Sequence, residues 1–95
     1  MHPDIAHTQS GQDGAFVLMR AGARVAEMTY RRAGPALVVV DHTWVDPSLR
    51  GQGVARQLLD AAVEWARASN TRISAGCSYV VAQFARDSTL SDIVG

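Results

Sequence analysis

The chain has 95 residues, 47% of them hydrophobic, and its 9 basic residues balance its 9 acidic ones. A domain of this size buries well under ~70% of its unfolded surface, so one sheet covered by one or two helices is about the most it can build. Zero net charge removes the global field with which basic proteins gather nucleic acid or anionic membrane, so any anion site must be local.

The single cysteine excludes an internal disulfide framework and a multi-cysteine zinc site. His2 and His7 fall in a polar N-terminal segment and His42 stands alone, so no metal site is expected. All 9 basic residues are arginine, a bias read as genomic rather than functional. No run approaches the roughly 18 apolar residues of a membrane span, and no basic-then-apolar signal segment opens the chain. The expectation is a cytoplasmic protein without nucleic-acid or membrane partners, as monomer or homodimer.

In chain order, residues 1–13 carry Pro3, Gly11, Gln9 and Gln12 with little periodic apolarity, and read as a flexible tail before a single domain over residues 14–95. Ala15 to Arg20 favours a strand, Ala21-Gly22 a turn, and Arg24 to Arg32 a second strand in which Ala26, Met28 and Tyr30 alternate with Glu27, Thr29 and Arg31. Ala33-Gly34-Pro35 makes another turn. Leu37 to Val45 is β-branched and nearly continuous in apolar character, as expected of a central strand buried on both faces. The pattern from Val54 to about Ser69 sets Leu58, Leu59, Ala62 and Ala66 opposite Arg56, Gln57, Asp60, Glu64 and Arg67, which predicts an amphipathic helix ended by Asn70 in a left-handed conformation. Thr71 to Ala75 reads as a short strand, and Cys77 or Ser78 opens a helix through about Arg86. Strand, crossover helix and strand imply a parallel pair with right-handed connection. The predicted class is therefore α+β: a mixed sheet made of an antiparallel meander, a β-α-β unit and a C-terminal helix.

Between the central strand and its helix lies Leu49-Arg50-Gly51-Gln52-Gly53-Val54-Ala55. A glycine-punctuated strand-to-helix turn leaves backbone N–H groups unpaired and pointing one way, at the positive end of the helix dipole. Such a turn cradles anions, most often phosphate. The two glycines let a ligand approach the backbone, and Arg50 adds a planar cation. The spacing fits neither a Walker-type loop nor a G-x-G-x-x-G arrangement. The alternative is that the glycines only shape a tight turn.

Arg50-Gly51-Gln52-Gly53-Val54-Ala55 resembles the Arg/Gln-x-x-Gly-x-Gly/Ala pyrophosphate loop of the GNAT superfamily of acetyl-coenzyme A-dependent N-acetyltransferases. With Asp41-His42-Thr43-Trp44-Val45-Asp46-Pro47 before it and Cys77-Ser78-Tyr79-Val80 after it, the chain is similar to the compact branch of about one hundred residues, over residues 14 to 94. Two positions depart from that branch. Ala75 stands where a proline is usual, and Asp87-Ser88-Thr89-Leu90 replaces a His-Pro-Glu-Tyr-like tail.

The resemblance implies acetyl-coenzyme A as co-substrate and an amine of unidentified kind as acceptor. It implies that Trp44 and Val45 offer backbone groups to the pantetheine arm, and that Arg50, Gly51, Gln52, Gly53, Val54 and Ala55 hold the pyrophosphate. Arg56 is either a further phosphate partner or a solvated helix residue. Family members of ordinary length shape the acceptor pocket with an N-terminal helical segment, so an open acceptor groove is expected here. The same cradle without turnover would make a coenzyme A-binding regulatory module instead.

In a parallel β-α-β unit ligands collect beyond the carboxyl ends of the strands, which places Val45, the loop and Cys77 at one edge. The run Leu37 to Val40 has no glutamate to act as base, leaving Asp41 and His42 as the nearest candidates. An imidazole titrates near neutrality, so His42 suits a general base unless it is only a paired strand residue. Tyr79 begins the last helix and reads as packing more than as a general acid. Cys77 at a helix N-terminus would have its thiolate stabilised by the dipole and so act as a nucleophile; otherwise it is a small buried hydrophobe. Direct transfer and transfer through Cys77 both remain open, with Cys77 and His42 expected to reach the same sheet edge from neighbouring strands.

Overall fold

The computed structural model describes residues 4–95. Five strands lie in chain order across one sheet: β1 (Ile5–Ser10), β2 (Asp13–Arg20), β3 (Ala23–Gly34), β4 (Leu37–Val45) and β5 (Arg72–Ala75). The first four pair antiparallel, and β5 returns parallel to β4 after the crossover helix α1 (Val54–Ala68). The second helix, α2 (Ser78–Arg86), follows β5 directly. This is the expected α+β arrangement of meander, β-α-β unit and final helix, with one strand more than the sequence suggested.

The extra strand corrects the reading of residues 1–13 as a flexible tail. Residues 5–10 form β1, in register from Ile5 opposite Leu18 to Ser10 opposite Asp13. Periodicity missed it because a histidine takes the place of an aliphatic residue. The His7 ring stacks on Phe16 with centroids 4.2 Å apart, and its Nε2 lies 2.7 Å from the Tyr30 hydroxyl. Trp65 of α1 meets the same ring edge-on at 4.9 Å, which fastens β1 to the helix. The part of the tail reading that concerns residues 1–3 lies outside the described residues.

One sheet face carries Phe16, Leu18, Ala26, Met28, Tyr30, Val38 and Val40, all buried, and α1 covers it with Val54, Leu58, Leu59, Ala62, Val63 and Ala66. Leu58 and Leu59 are fully enclosed, and each such side chain stabilises the fold by roughly 1.5–3 kcal/mol. Asn70 adopts a positive φ of 53° just past α1, as the sequence implied. A 3₁₀ segment, Ser88–Ile93, closes the molecule by burying Leu90 and Ile93, and Val94 then bridges Ile73 in parallel. Among the described residues no helix is long and apolar enough to cross a membrane.

β4 is not buried on both faces as the sequence predicted: only Val38 and Val40 are buried, because α1 covers one face of the sheet, and a β-bulge decides what the strand offers at its end. Tyr30 pairs with Val40 but Thr29 pairs with His42, so Asp41 is an extra residue. Simple alternation from Val38 and Val40 would have turned His42 and Trp44 toward the core. Instead Thr43 sits opposite buried Met28 and Val45 opposite buried Ala26, while His42 and Trp44 join Thr29 and Glu27 on the other face.

Candidate functional site

Pairing of β4 with β5 stops early. The ladder runs from Leu37–Arg72 to Val40–Ala75, and a last bond goes from the Gly76 amide to the Val40 carbonyl at 2.8 Å. A Cβ on Gly76 would stand 2.7 Å from Val39 Cγ1 and 2.9 Å from Val40 O, so only glycine allows this approach. The chain then turns away into α2. Residues 41–45 of β4 keep β3 on one side and, among the described residues, have no strand on the other.

The glycine loop lies beside this opening. A 3₁₀ turn, Pro47–Leu49, is fixed by Asp46, whose carboxylate accepts from the Ser48 hydroxyl at 2.5 Å and the Ser48 amide at 3.0 Å and is held below its usual range by those Ser48 bonds. Arg50 Nε donates to the Val45 carbonyl at 3.3 Å and Gln52 Nε2 to the Ser48 carbonyl at 3.3 Å, tying the loop to the end of β4. Gly51 and Gly53 take φ values of +82° and +75°, and a Cβ built on either would meet nothing within 4 Å. These glycines therefore serve the backbone conformation and leave the space before the loop open. Gly53 caps α1 without a side-chain bond, and no acid occupies the first turn, so the helix's leading amides face outward uncompensated.

A cavity of about 260 Å³ joins these parts, lined by Val45, Leu49, Arg56, Tyr79 and the loop from Arg50 through Ala55 without Gln52. Its walls are mainly apolar, with backbone amides at one end. Burial raises the Tyr79 phenol above its ordinary value, so its hydroxyl keeps its proton and can donate. A larger cavity of about 540 Å³, around Arg67, Asn70 and Arg72, opens at the other end of β5, but its arginines are held by Asp92 and the Val94 carbonyl.

The sequence candidates divide accordingly. Val45, Arg50, Gly51, Gly53, Val54 and Ala55 line the cavity. The Trp44 side chain turns to the opposite sheet face and the Gln52 side chain is bound to the Ser48 carbonyl, so these two residues offer the opening their backbone groups alone, the groups expected of them. Arg56 reaches the rim, but its guanidinium binds Asp60 at 2.8 Å, Gln83 at 2.8 Å and Asp87, clamping α1 to α2. These carboxylates hold Arg56 above its ordinary value, and Asp87 is pushed down to about 2 by Arg56 and Thr89. The clamp argues against a free phosphate partner at this position.

Cys77 and His42 reach the same end of the sheet but not each other's face. The Cys77 sulfur lies 3.4 Å from Thr43 Oγ1 on the α1 side. His42, with a side chain 54% exposed, directs Nε2 toward Glu27 Oε2 at 3.5 Å on the other side. Thr43 and Glu27 were not marked by the sequence, because the bulge that sorts these side chains has no sequence signature, and Tyr79 was read as packing because its place on the cavity wall depends on how α2 docks beside the loop.

Comparison with known proteins bears on this arrangement. The family model described as GCN5-related N-acetyl-transferase matches residues 15–93. A Staphylococcus aureus protein, described as GCN5-like and solved by NMR, is 31% identical with a TM-score of 0.73, over 97% of this chain and 89% of that one. The ribosomal-protein-S18-alanine N-acetyltransferase of Escherichia coli shares the fold at 17% identity and TM-score 0.68, over 82% of this chain and 53% of that one. A GNAT-family acetyltransferase of Elizabethkingia anophelis, solved with acetyl-CoA bound, does so at 11% identity and TM-score 0.58, over 66% and 42% of the two chains. The chain thus spans about half the length of the E. coli enzyme and most of the S. aureus protein. No curated protein sequence matches it.

Proposed function

The chain belongs to the GCN5-related N-acetyltransferase family, and on that premise we propose that it takes acetyl-coenzyme A into the opening beside β4 and transfers the acetyl group directly to an amine. The observation that carries this reading is the coincidence of an uncapped, glycine-lined helix start with the point where β4 and β5 part. The pyrophosphate fits the amides of Gly51 to Ala55, and the apolar walls at Val45 and Leu49 suit an extended pantetheine arm. Arg50 retains guanidinium nitrogens beyond the one bound to Val45 and supplies a cation at the same place.

The two faces of β4 divide the work. Cofactor enters from the α1 side, where Thr43, Val45 and Cys77 stand; the acceptor approaches from the face that carries His42 and Trp44. His42 accepts a proton from the amine as its nitrogen lone pair attacks the thioester carbonyl. The carbon–sulfur bond then breaks and coenzyme A leaves as the thiolate. Holding the two reactants in contact supplies much of the acceleration, so the chain needs little further chemistry.

Cys77 lines the acetyl side in this scheme. Its hydrogen-bond partner is the Thr43 hydroxyl, and the one imidazole proposed to act sits on the opposite face, which favours direct transfer over a thiol relay. The exposure of His42 suits an open groove that admits a peptide or protein amine as well as a small molecule. The reading is tested by titrating acetyl-coenzyme A into the protein while following its melting temperature, then assaying release of free coenzyme A thiol with an amine panel.

A further inference from the structure

His42 is flanked by two carboxylates, and their partners distinguish them. Asp41 Oδ1 accepts the Thr29 hydroxyl at 2.6 Å. Glu27 is gripped at Oε1 by Arg24 Nη1 at 2.7 Å, which leaves Oε2 facing His42 Nε2 at 3.5 Å. Glu27 lies two residues along β3 from Thr29, the residue opposite His42, and so is its diagonal neighbour on the same face; its side chain is only 21% exposed, less than half the exposure of the ring it faces. A salt-bridged, half-buried carboxylate thus stands against one defined nitrogen of an exposed imidazole.

We propose that Glu27, held in place by Arg24, is a positioning residue that fixes the tautomer of His42. This rests on His42 being the base of the acetyl transfer. At 3.5 Å the contact is at ion-pair range and longer than a formed hydrogen bond, but an ionised carboxylate only accepts, so its charge favours the tautomer in which the ring nitrogen turned toward it carries the hydrogen. Nε2–H is selected, and the lone pair is left on Nδ1, which becomes the atom that takes the amine proton. When the ring gains that proton, the imidazolium faces Glu27 at ion-pair range and the contact tightens, as apo contacts of catalytic groups commonly do. The logic is that of a carboxylate orienting an imidazole in a hydrolase triad, here built from two antiparallel strands.

The test combines nitrogen-15 NMR of the His42 ring with steady-state kinetics. Wild-type protein at a pH where the ring is neutral is expected to show Nε2 protonated and Nδ1 bare. Glu27→Gln, which keeps the shape but offers both donor and acceptor, is expected to show mixed tautomers. Its kcat falls roughly tenfold, with an unchanged KM for acetyl-coenzyme A and an unchanged melting temperature. Glu27→Gln placed on His42→Gln adds no further loss. An unaltered tautomer or unaltered kcat in Glu27→Gln, beside an inactive His42→Gln, would overturn this inference alone. Full turnover in His42→Gln would remove the base itself, and with it the role assigned to Glu27.

Discussion

The Cys77 sulfur lies 3.4 Å from Thr43 Oγ1, across the gap that opens where β5 ends its pairing with β4. That contact places the thiol at the proposed acetyl position without a base beside it. Cys77 is a free, partly exposed thiol, so iodoacetamide should modify it slowly in the native protein, and saturating acetyl-coenzyme A should slow the reaction further by filling the gap. Cys77→Ser should keep turnover within about threefold, since it retains a side chain of similar size and direct transfer makes no covalent use of sulfur. A Cys77→Ser protein that binds acetyl-coenzyme A normally yet does not turn over would establish the thiol route instead.

The glycine loop should fail sharply when its open space is filled. Gly53 has φ +75° with nothing near its missing Cβ, so Gly53→Val places a branched side chain where the pyrophosphate is proposed to lie. We expect the melting shift given by acetyl-coenzyme A to vanish, with a separate stability loss of about 1–2 kcal/mol from the left-handed backbone. Arg50→Ala, which removes a cation but no backbone amide, should weaken the shift by less. An intact shift in a folded Gly53→Val protein would move the cofactor elsewhere.

Arg56 is expected to matter for stability rather than for phosphate. Asp87 is held down to about 2 by Arg56 and Thr89, below the unfolded value of 3.8. Its contribution is therefore fully present above pH 3.8 and is lost as the pH falls through about 2. Asp87→Asn should lower the melting temperature at neutral pH and flatten its decline in acid, with acetyl-coenzyme A affinity nearly preserved. A large affinity loss on Arg56→Gln in a protein of unchanged stability would reverse this assignment.

His7 should make the fold sensitive to mild acid. Burial holds its imidazole below the ordinary 6.5, so between that lowered value and 6.5 the unfolded chain binds the proton that the folded chain refuses. Stability is then full above pH 6.5 and falls as the pH drops through the lowered value. The urea midpoint of His7→Gln should vary less between pH 7.5 and pH 5 than that of the parent. Removal of residues 1–10, which the sequence alone marks as harmless, should instead lower the melting temperature by stripping β1 from β2.

Much of the fold was legible because it rests on periodicity. The alternation of Ala26, Met28 and Tyr30 and the helical stripe of Leu58, Leu59 and Ala62 each bury the face they indicate. The loop from Arg50 to Ala55 was legible for another reason, since glycines at these positions have few uses other than positive φ and close approach. What escaped depends on single contacts between distant residues. β1 is held by a histidine stacking on Phe16, and the last 3₁₀ segment by the burial of Leu90 and Ile93. The separation of Cys77 from His42 escaped for the same reason: one extra residue, Asp41, reverses which side chains of β4 meet the core.

The most direct test of acetyl transfer is a time course of free coenzyme A thiol, run with acetyl-coenzyme A, the protein and a panel of small and peptide amines. We expect amine-dependent release above the hydrolytic background, saturable in acetyl-coenzyme A, with an acetylated product of matching amount and loss of release in His42→Gln. Saturable binding of acetyl-coenzyme A with no amine-dependent release from any acceptor would contradict the transferase reading and leave a cofactor-binding module.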